Sequence, residues 1–280
     1  MAVVLALITS TLWGTSDFFG GLATRRDPVA RVMLWAHGMG LLAIAIAAPF
    51  LAGSVSAKDL AIGALAGVVG LLGLVLLYDL LSTGPMAVVA PLSALTAAVV
   101  PITWGLGSDE PTSGITLAGL AIGLAAVLAI SWEGGTVDAP VTARIVISAV
   151  VAGVCFGSIV LLYDATSSDS APWPIVSGRV VTFAMLLGFA LWRRGPLKPV
   201  GSLRFAAIAG IGDTAANLTL LLATSAAVTS NELSVVAVIT AFFPAATVIW
   251  ARIVLDERMG PVRIAGLGLG LGAVVLMTLG

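Results

Sequence analysis

Ten apolar stretches, each long enough to cross a lipid bilayer, follow one another along this chain of 280 residues. A membrane-spanning helix needs roughly 20 predominantly apolar residues, and the breaks between such helices carry charge, Pro or Gly. Ten segments meet both conditions, and the joints between them are too short to hold a soluble domain. The segments are residues 2–21, 31–52, 60–81, 86–105, 114–132, 144–163, 174–192, 203–224, 233–253 and 261–279. The sequence therefore predicts an all-α membrane protein with ten transmembrane helices.

The composition supports this location and argues against several kinds of chemistry. Apolar residues make up 59% of the chain and charged residues 10%, an excess of hydrocarbon that lipid solvates and water does not. One cysteine, Cys155, and one histidine, His37, are too few for a disulfide or for a metal centre built from these residues. The basic residues are too dispersed for a nucleic-acid surface. We expect a multi-pass protein of the cell membrane with no metal and no cofactor.

The two halves of the chain repeat each other at an offset of 147 residues. Matching positions are Asp109-Glu110 with Asp256-Glu257, Gly119 with Gly266, Gly123 with Gly270, and Gly63 with Gly210. Each half holds five spans, and an odd number means that homologous halves enter the bilayer in opposite orientations. The sequence predicts two inverted five-helix repeats, residues 1–133 and 143–280. The glycines in these series predict close packing between helices.

Short motifs also recur at the same places in the two halves. Trp13-Gly14-Thr15-Ser16 in the first span is echoed by Phe156-Gly157-Ser158 in the sixth, and Arg31 in the second span by Arg179 in the seventh. With the acidic turn and glycine-spaced helix that close each half, these motifs make the chain similar to the EamA-like branch of the drug/metabolite transporter superfamily. The first span departs from the commonest pattern of this branch because it carries Asp17.

The resemblance implies ten helices in two inverted EamA-type repeats and alternating-access transport of a small metabolite or drug-like solute. It also implies a central cavity lined by spans 1, 3, 4, 6, 8 and 9. Because the sequence has no phosphate-binding loop, active transport would use an ion gradient, and acids within the spans favour coupling to protons. The partners would be the lipid bilayer, a small-molecule solute and protons, with a homodimer left open. The alternative is a non-transporting membrane scaffold or an intramembrane enzyme, although no nucleophile with a positioned base can be assembled from the sequence.

Two polar residues in the eighth span are the first candidates for a binding site. Ionisable groups inside a span are costly and usually face the bundle interior or a wet cavity. Asp213 lies midway along this span, and Asn217 follows one turn later on the same face. Two roles fit Asp213: a group that binds a proton or a substrate amine, or a neutral acid that is hydrogen-bonded to a neighbouring helix.

Asp17 and His37 are further candidates. Asp17 lies towards the end of the first span, where it fits either an acid of the cavity or a boundary residue paired with Arg25, Arg26 or Arg31. The imidazole of His37 fits a proton relay or a neutral hydrogen-bonding role.

Aromatic residues near the ends of the spans have two interpretations each. Trp13 and Trp104 fit the walls of a cavity for an apolar or cationic solute, or an interfacial aromatic belt. Tyr78 and Asp79 close the third span, where both are candidates for binding substrate or a proton, and Tyr78 also fits an interfacial anchor.

Arginine and proline positions suggest structural roles. Arg31 and Arg179 begin equivalent helices, so we expect both to extend towards the interface rather than to bind substrate. Pro91 and Pro101 in the fourth span and Pro244 in the ninth each remove a backbone donor. They are candidate hinges for rocking one bundle on the other, or static kinks that serve packing.

Basic residues favour one side of the predicted bundle. Joints after odd-numbered spans carry eleven, namely Arg25, Arg26, Arg31, Arg144, Arg193, Arg194, Lys198, Arg204, Arg252, Arg258 and Arg263. The other joints carry two, Lys58 and Arg179. Positive charge marks the cytoplasmic side, which would place both termini outside, whereas the resemblance implies termini in the cytoplasm.

Overall fold

The computed structural model describes residues 1–51, 53–83, 86–107, 113–132, 142–194, 197–230, 232–256 and 260–279. Within these ranges, side chains are described except at 78, 79, 81–83, 86–88, 90, 91, 106 and 228–230. The side chains of Tyr78, Asp79 and Pro91 therefore lie outside the described part, as do the turn residues Asp109, Glu110 and Glu257.

The described residues form helices and no strand. The helices are α1 (Ala2–Thr24), α2 (Val29–Ala47), a 3-10 turn (Ala48–Phe50), α3 (Ala57–Thr83), α4 (Met86–Gly107), α5 (Gly114–Ser131), α6 (Ala143–Asp164), α7 (Trp173–Trp192), α8 (Leu203–Ser230), α9 (Leu233–Thr240), α10 (Phe243–Val254) and α11 (Pro261–Leu279). Nine of the described helical stretches are long and apolar enough to cross a membrane, with α9 and α10 together making one, and a shorter apolar stretch runs from Leu92 to Gly105 in α4. The all-α, multi-pass prediction is confirmed for this part of the chain.

Polar residues and prolines at the joints determine where several helices begin. The side chain of Ser113 accepts a hydrogen bond from the backbone N–H of Thr116 at 3.0 Å and caps α5. Ser56 caps α3 in the same way through the N–H of Asp59. Pro174 and Pro244 lie in the first turns of α7 and α10, where a missing backbone donor costs no helical hydrogen bond.

The ninth predicted span is broken in the middle. α9 ends at Thr240, and α10 begins at Phe243, one residue before Pro244. Proline has no N–H to donate to the carbonyl four residues earlier, and its ring clashes with that carbonyl. That carbonyl belongs to Thr240, so the helix ends where the proline requires it. Pro101 has a milder effect, because α4 continues past it to Gly107.

Helices of one half pack mainly on helices of the other half, in matching pairs. Three contacts occur in equivalent form in both halves. The contact of α1 with α8 matches that of α6 with α3, and the contact of α2 with α8 matches that of α7 with α3. The contact of α1 with α10 matches that of α6 with α4. α2 also meets α7, α4 meets α9, and α5 meets α11. A pseudo-twofold relation between the halves would produce this pattern. The inverted orientation of the repeats in a bilayer stays a prediction.

The motif glycines lie at close approaches within one matching pair of helix contacts, α6 with α4 and α1 with α10. A Cβ on Gly157 of α6 would lie 2.7 Å from the carbonyl oxygen of Ala97 and 2.8 Å from Cβ of Val100, both in α4. A Cβ on Gly14 of α1 would lie 2.7 Å from Cβ of Ala246 in α10. These distances exclude any larger side chain without a shift of the helices. The two motifs therefore mark equivalent helix contacts.

Candidate functional site

A cavity of about 150 Å³ lies among helices of both halves. Its lining residues come from α1, α2, α3, α4, α6, α7, α8, α9 and α10. Spans 1, 3, 4, 6, 8 and 9 were expected here. The structure adds α2 and α7, which contribute His37, Arg179 and Thr182.

An ion pair lies at the polar side of the cavity. Nη2 of Arg179 donates to Oδ2 of Asp213, and the Arg179 side chain is buried, while the Asp213 side chain is 34% exposed to the cavity. The amide of Asn217 donates to the backbone carbonyl of Asp213 at 2.7 Å and faces its Oδ1 at 3.3 Å. The i, i+4 spacing thus places Asp213 and Asn217 together on the cavity side of α8.

This hydrogen-bond network extends to two further helices. Tyr163 of α6 donates its hydroxyl hydrogen to Oδ1 of Asn217 at 3.2 Å. On the other side, Nδ1 of the buried His37 lies 3.4 Å from Nη1 of Arg179 and 2.9 Å from Oγ1 of Thr182. A continuous polar network therefore links α6, α8, α7 and α2 across the boundary between the halves.

Asp17 faces the cavity without a partner. Its side chain is exposed to the cavity, and among the described residues no hydrogen bond or ion pair reaches its carboxylate. Arg31 pairs instead with Asp27, so the alternative in which Asp17 pairs with Arg25, Arg26 or Arg31 is wrong. Asp17 therefore presents an uncompensated negative charge to the cavity when it is ionised.

Aromatic and aliphatic side chains form the rest of the cavity wall. Trp13 meets Phe243 edge to face, with ring centroids 6.5 Å apart, and Phe156, the counterpart of Trp13 in the second half, also lines the cavity. Trp104 is 59% exposed and lies away from this wall. Of the two tryptophans considered from the sequence, the structure places only Trp13 at the site.

Comparison with known proteins agrees with this arrangement. Residues 143–279 match the model of the EamA-like transporter family. The second half of the chain is therefore similar to the EamA-like transporter family. A crystal structure of a protein superposes on 99% of this chain and 98% of its own with a TM-score of 0.77, and at 17% sequence identity this likeness shows a shared fold alone. A sequence comparison with curated proteins finds no match.

The EamA-like half supplies most of the polar network, including one residue whose role the sequence did not reveal. Arg179 was expected at the interface, but it lies two turns inside α7, where its guanidinium is buried against Asp213. The expectation was wrong because Arg31, its counterpart in the first half, lies in the first turn of α2 and meets Asp27 there. The signal was available: an arginine two turns inside a span is as costly in lipid as Asp213 and needs a partner.

Tyr163 and Thr182 were also missed. Threonine is common in membrane helices, so no sequence signal distinguishes Thr182. Tyr163 had one, because residues 160–164 repeat the Val-Leu-Leu-Tyr-Asp of residues 75–79. Their roles follow from the packing of α6 against α8 and of α2 against α7. Among the candidate hinges, Pro244 lies at the helix break beside the cavity, and Pro101 lies in a continuous helix.

Proposed function

We propose that this EamA-like protein is a secondary transporter that moves a small solute through the central cavity by alternating access, driven by protons. The observation that carries this proposal is Asp17, which no described residue pairs and which opens into a cavity between two interpacked halves beside the Arg179–Asp213 ion pair. A static scaffold gains nothing from a carboxylate that is placed within the bundle without a partner.

The packing of the ninth span supports a moving element. All eight residues of α9 are buried, whereas none of the twelve residues of α10 is buried. The break between them, Ala241 and Phe242, borders the cavity through Ala241. α10 is therefore less enclosed by other helices than α9, and rotation at the break would change access to the cavity.

The ion pair changes the role that the sequence suggested for Asp213. A proton on Asp213 would remove the charge that Arg179 needs, leaving a buried guanidinium without its counter-ion. A proton on Asp17 breaks no ion pair and removes a charge that is costly within a membrane. In this proposal Asp17 carries the proton, and Asp213 holds Arg179 in place.

Transport in reconstituted vesicles tests the proposal. Purified protein is placed in liposomes with an imposed pH gradient, and labelled amines, amino acids, nucleosides and sugars are offered in turn. We expect at least one class to accumulate in vesicles with the wild-type protein and not in protein-free vesicles. Dissipation of the pH gradient should abolish the accumulation.

The Asp17→Asn variant tests whether accumulation depends on the carboxylate of Asp17. It should lose accumulation driven by the gradient, while Asp169→Asn, which alters an exposed loop carboxylate, should behave as wild type. Correctly folded wild-type protein that moves no member of the panel would favour the scaffold alternative.

A further inference from the structure

We infer that the solute is an organic cation, an ammonium group on an apolar body the size of a single ring, with no carboxylate of its own. This inference rests on the proposed function, because it names the substrate class of the same cavity. It is carried by the charge balance of the cavity, the placement of an aromatic ring beside the free acid, and the size of the space.

The charge balance favours a cation. Among the described residues, two carboxylates, Asp17 and Asp213, and one guanidinium, Arg179, line the cavity. The guanidinium is engaged by Asp213 and also contacts His37. The remaining charge is the carboxylate of Asp17, which no described residue neutralises. A cationic group would provide the counter-charge that this position lacks.

The environment of Asp17 suits an ammonium group rather than a hydrated metal ion. Trp13 and Asp17 are four residues apart on α1, so their side chains share one face of the helix, and both line the cavity. A cation bound by the carboxylate would also meet an indole ring, which attracts cations through its π face. Metal ions of the hard type would require several oxygen ligands, and much of the described lining is apolar.

Much of the remaining described wall is apolar. It is built from Leu71, Leu74 and Leu77 of α3, Phe156 and Ile159 of α6, and Phe243 of α10. A cavity of about 150 Å³ is comparable with an engineered protein cavity that holds benzene. The space therefore fits one ring, with the ammonium group directed to Asp17.

An added carboxylate on the solute would find no free partner. It would have to take Arg179 from Asp213, leaving Asp213 uncompensated, or lie beside Asp17 and repel it. The site thus favours a simple amine over the corresponding amino acid. Selectivity for the amine is therefore a more specific claim than the proposed transport of a small solute.

Calorimetric titration of the purified protein tests the inference by binding, without a requirement for transport. Three probes share one ring and one spacer: 2-phenylethylamine, the neutral 2-phenylethanol, and phenylalanine, which adds the carboxylate. We expect 2-phenylethylamine to bind at least about tenfold more tightly than either of the others, because a charge-assisted hydrogen bond is lost or opposed in each.

Two variants test whether Asp17 is the residue that binds the amine. Asp17→Asn should weaken binding of 2-phenylethylamine by about tenfold or more, and the loop control Asp169→Asn should leave it unchanged. Equal affinity for the three probes would overturn the inference even if Asp17→Asn failed to fold. Loss of binding in Asp213→Asn with wild-type binding in Asp17→Asn would move the site to Asp213 and also overturn it.

The outcomes distinguish the two proposals. Amine-selective binding with no flux in vesicles would retain the ligand site and reject transport. Flux of another solute class, with no preference for the amine, would retain transport and reject the cation.

Discussion

Asp27, in the loop between α1 and α2, accepts a hydrogen bond from the side chain of Ser202, which directly precedes α8. The same carboxylate accepts the backbone N–H of Val200 at 2.7 Å and pairs with Arg31, and the residue is 4% exposed. A single buried acid thus joins a loop of the first half to a loop of the second.

A matching contact lies beyond the other end of α2. Asp59, at the start of α3, accepts hydrogen bonds from the side chain of Ser56 at 2.6 Å and from the backbone N–H of Ser167 at 3.0 Å. Ser167 lies in the loop between α6 and α7. Because loops of the two halves are joined at both ends of the bundle at once, these contacts hold α1 to α3 and α6 to α8 together. We propose that movement during transport is confined mainly to the remaining helices.

The Asp27 contact predicts a pH-dependent contribution to stability. Burial alone would raise the pKa of Asp27, but the hydrogen bonds from Ser202 and Val200 and the contact with Arg31 outweigh it, so the pKa lies below the ordinary value of 3.8. Because the folded pKa is lowered, this stabilisation is fully present above about pH 4 and is lost as the pH falls through the folded pKa. Asp27→Asn should destabilise the protein by about 1–3 kcal/mol near neutral pH.

Unfolding in detergent measured from neutral to acidic pH checks this prediction. The difference between wild type and Asp27→Asn should shrink as the pH falls below about 4. Asp169→Asn is the matched control, because it removes a carboxylate that is exposed in a loop. A difference that does not change with pH would contradict a role for the ionised carboxylate.

How much of this structure the sequence predicted depends on whether a feature is local. The helices follow from apolar length, and the place of Asp213 and Asn217 on one face follows from helical spacing. The partner of Asp213 does not follow, because Arg179 reaches it from another helix. Asp17 was undecided for the same reason: several arginines lie near it in sequence, and only the fold shows that Arg31 is occupied by Asp27. The break after Thr240 could be predicted in part from the sequence. Pro244 predicts a lost hydrogen bond, but it does not predict whether the helix bends or ends.

The Arg179–Asp213 pair predicts non-additive changes in stability. Removing the guanidinium in Arg179→Gln leaves Asp213 without its counter-ion, and removing the charge in Asp213→Asn leaves a buried guanidinium. Each single variant should lose about 2 kcal/mol, a moderate value because Asp213 is partly exposed to the cavity. The double variant should lose less than the sum of the two. Denaturant unfolding of the four proteins measures this coupling, and strict additivity would show that the two residues act independently.

Substitution by alanine should have opposite effects on stability at Gly157, the motif glycine of α6, and at Gly188 in α7. Gly157→Ala would place a methyl group 2.7 Å from the carbonyl oxygen of Ala97, so α4 and α6 must separate, at a cost of about 1–3 kcal/mol. Gly188 in α7 is the control, because nothing lies within 4 Å of a Cβ there. Gly188→Ala should stabilise the helix by up to about 1 kcal/mol. Thermal unfolding of both variants in the same detergent measures these effects. Equal effects would show that α4 and α6 can move apart at little cost in stability.

The break in the ninth span predicts that a proline controls motion beside the cavity. Pro244→Ala restores an N–H that can donate to the carbonyl of Thr240, so α9 and α10 should join into one helix. Hydrogen exchange at residues 241–243 should then become slower, and solute flux in vesicles should fall while binding in detergent is retained, because a continuous helix resists rotation at the break. Pro101→Ala is the matched control, since α4 is already continuous past this residue, and it should leave exchange in the ninth span unchanged. Unaltered exchange at residues 241–243 in Pro244→Ala would show that packing around Phe242, and not the proline, separates the two helices.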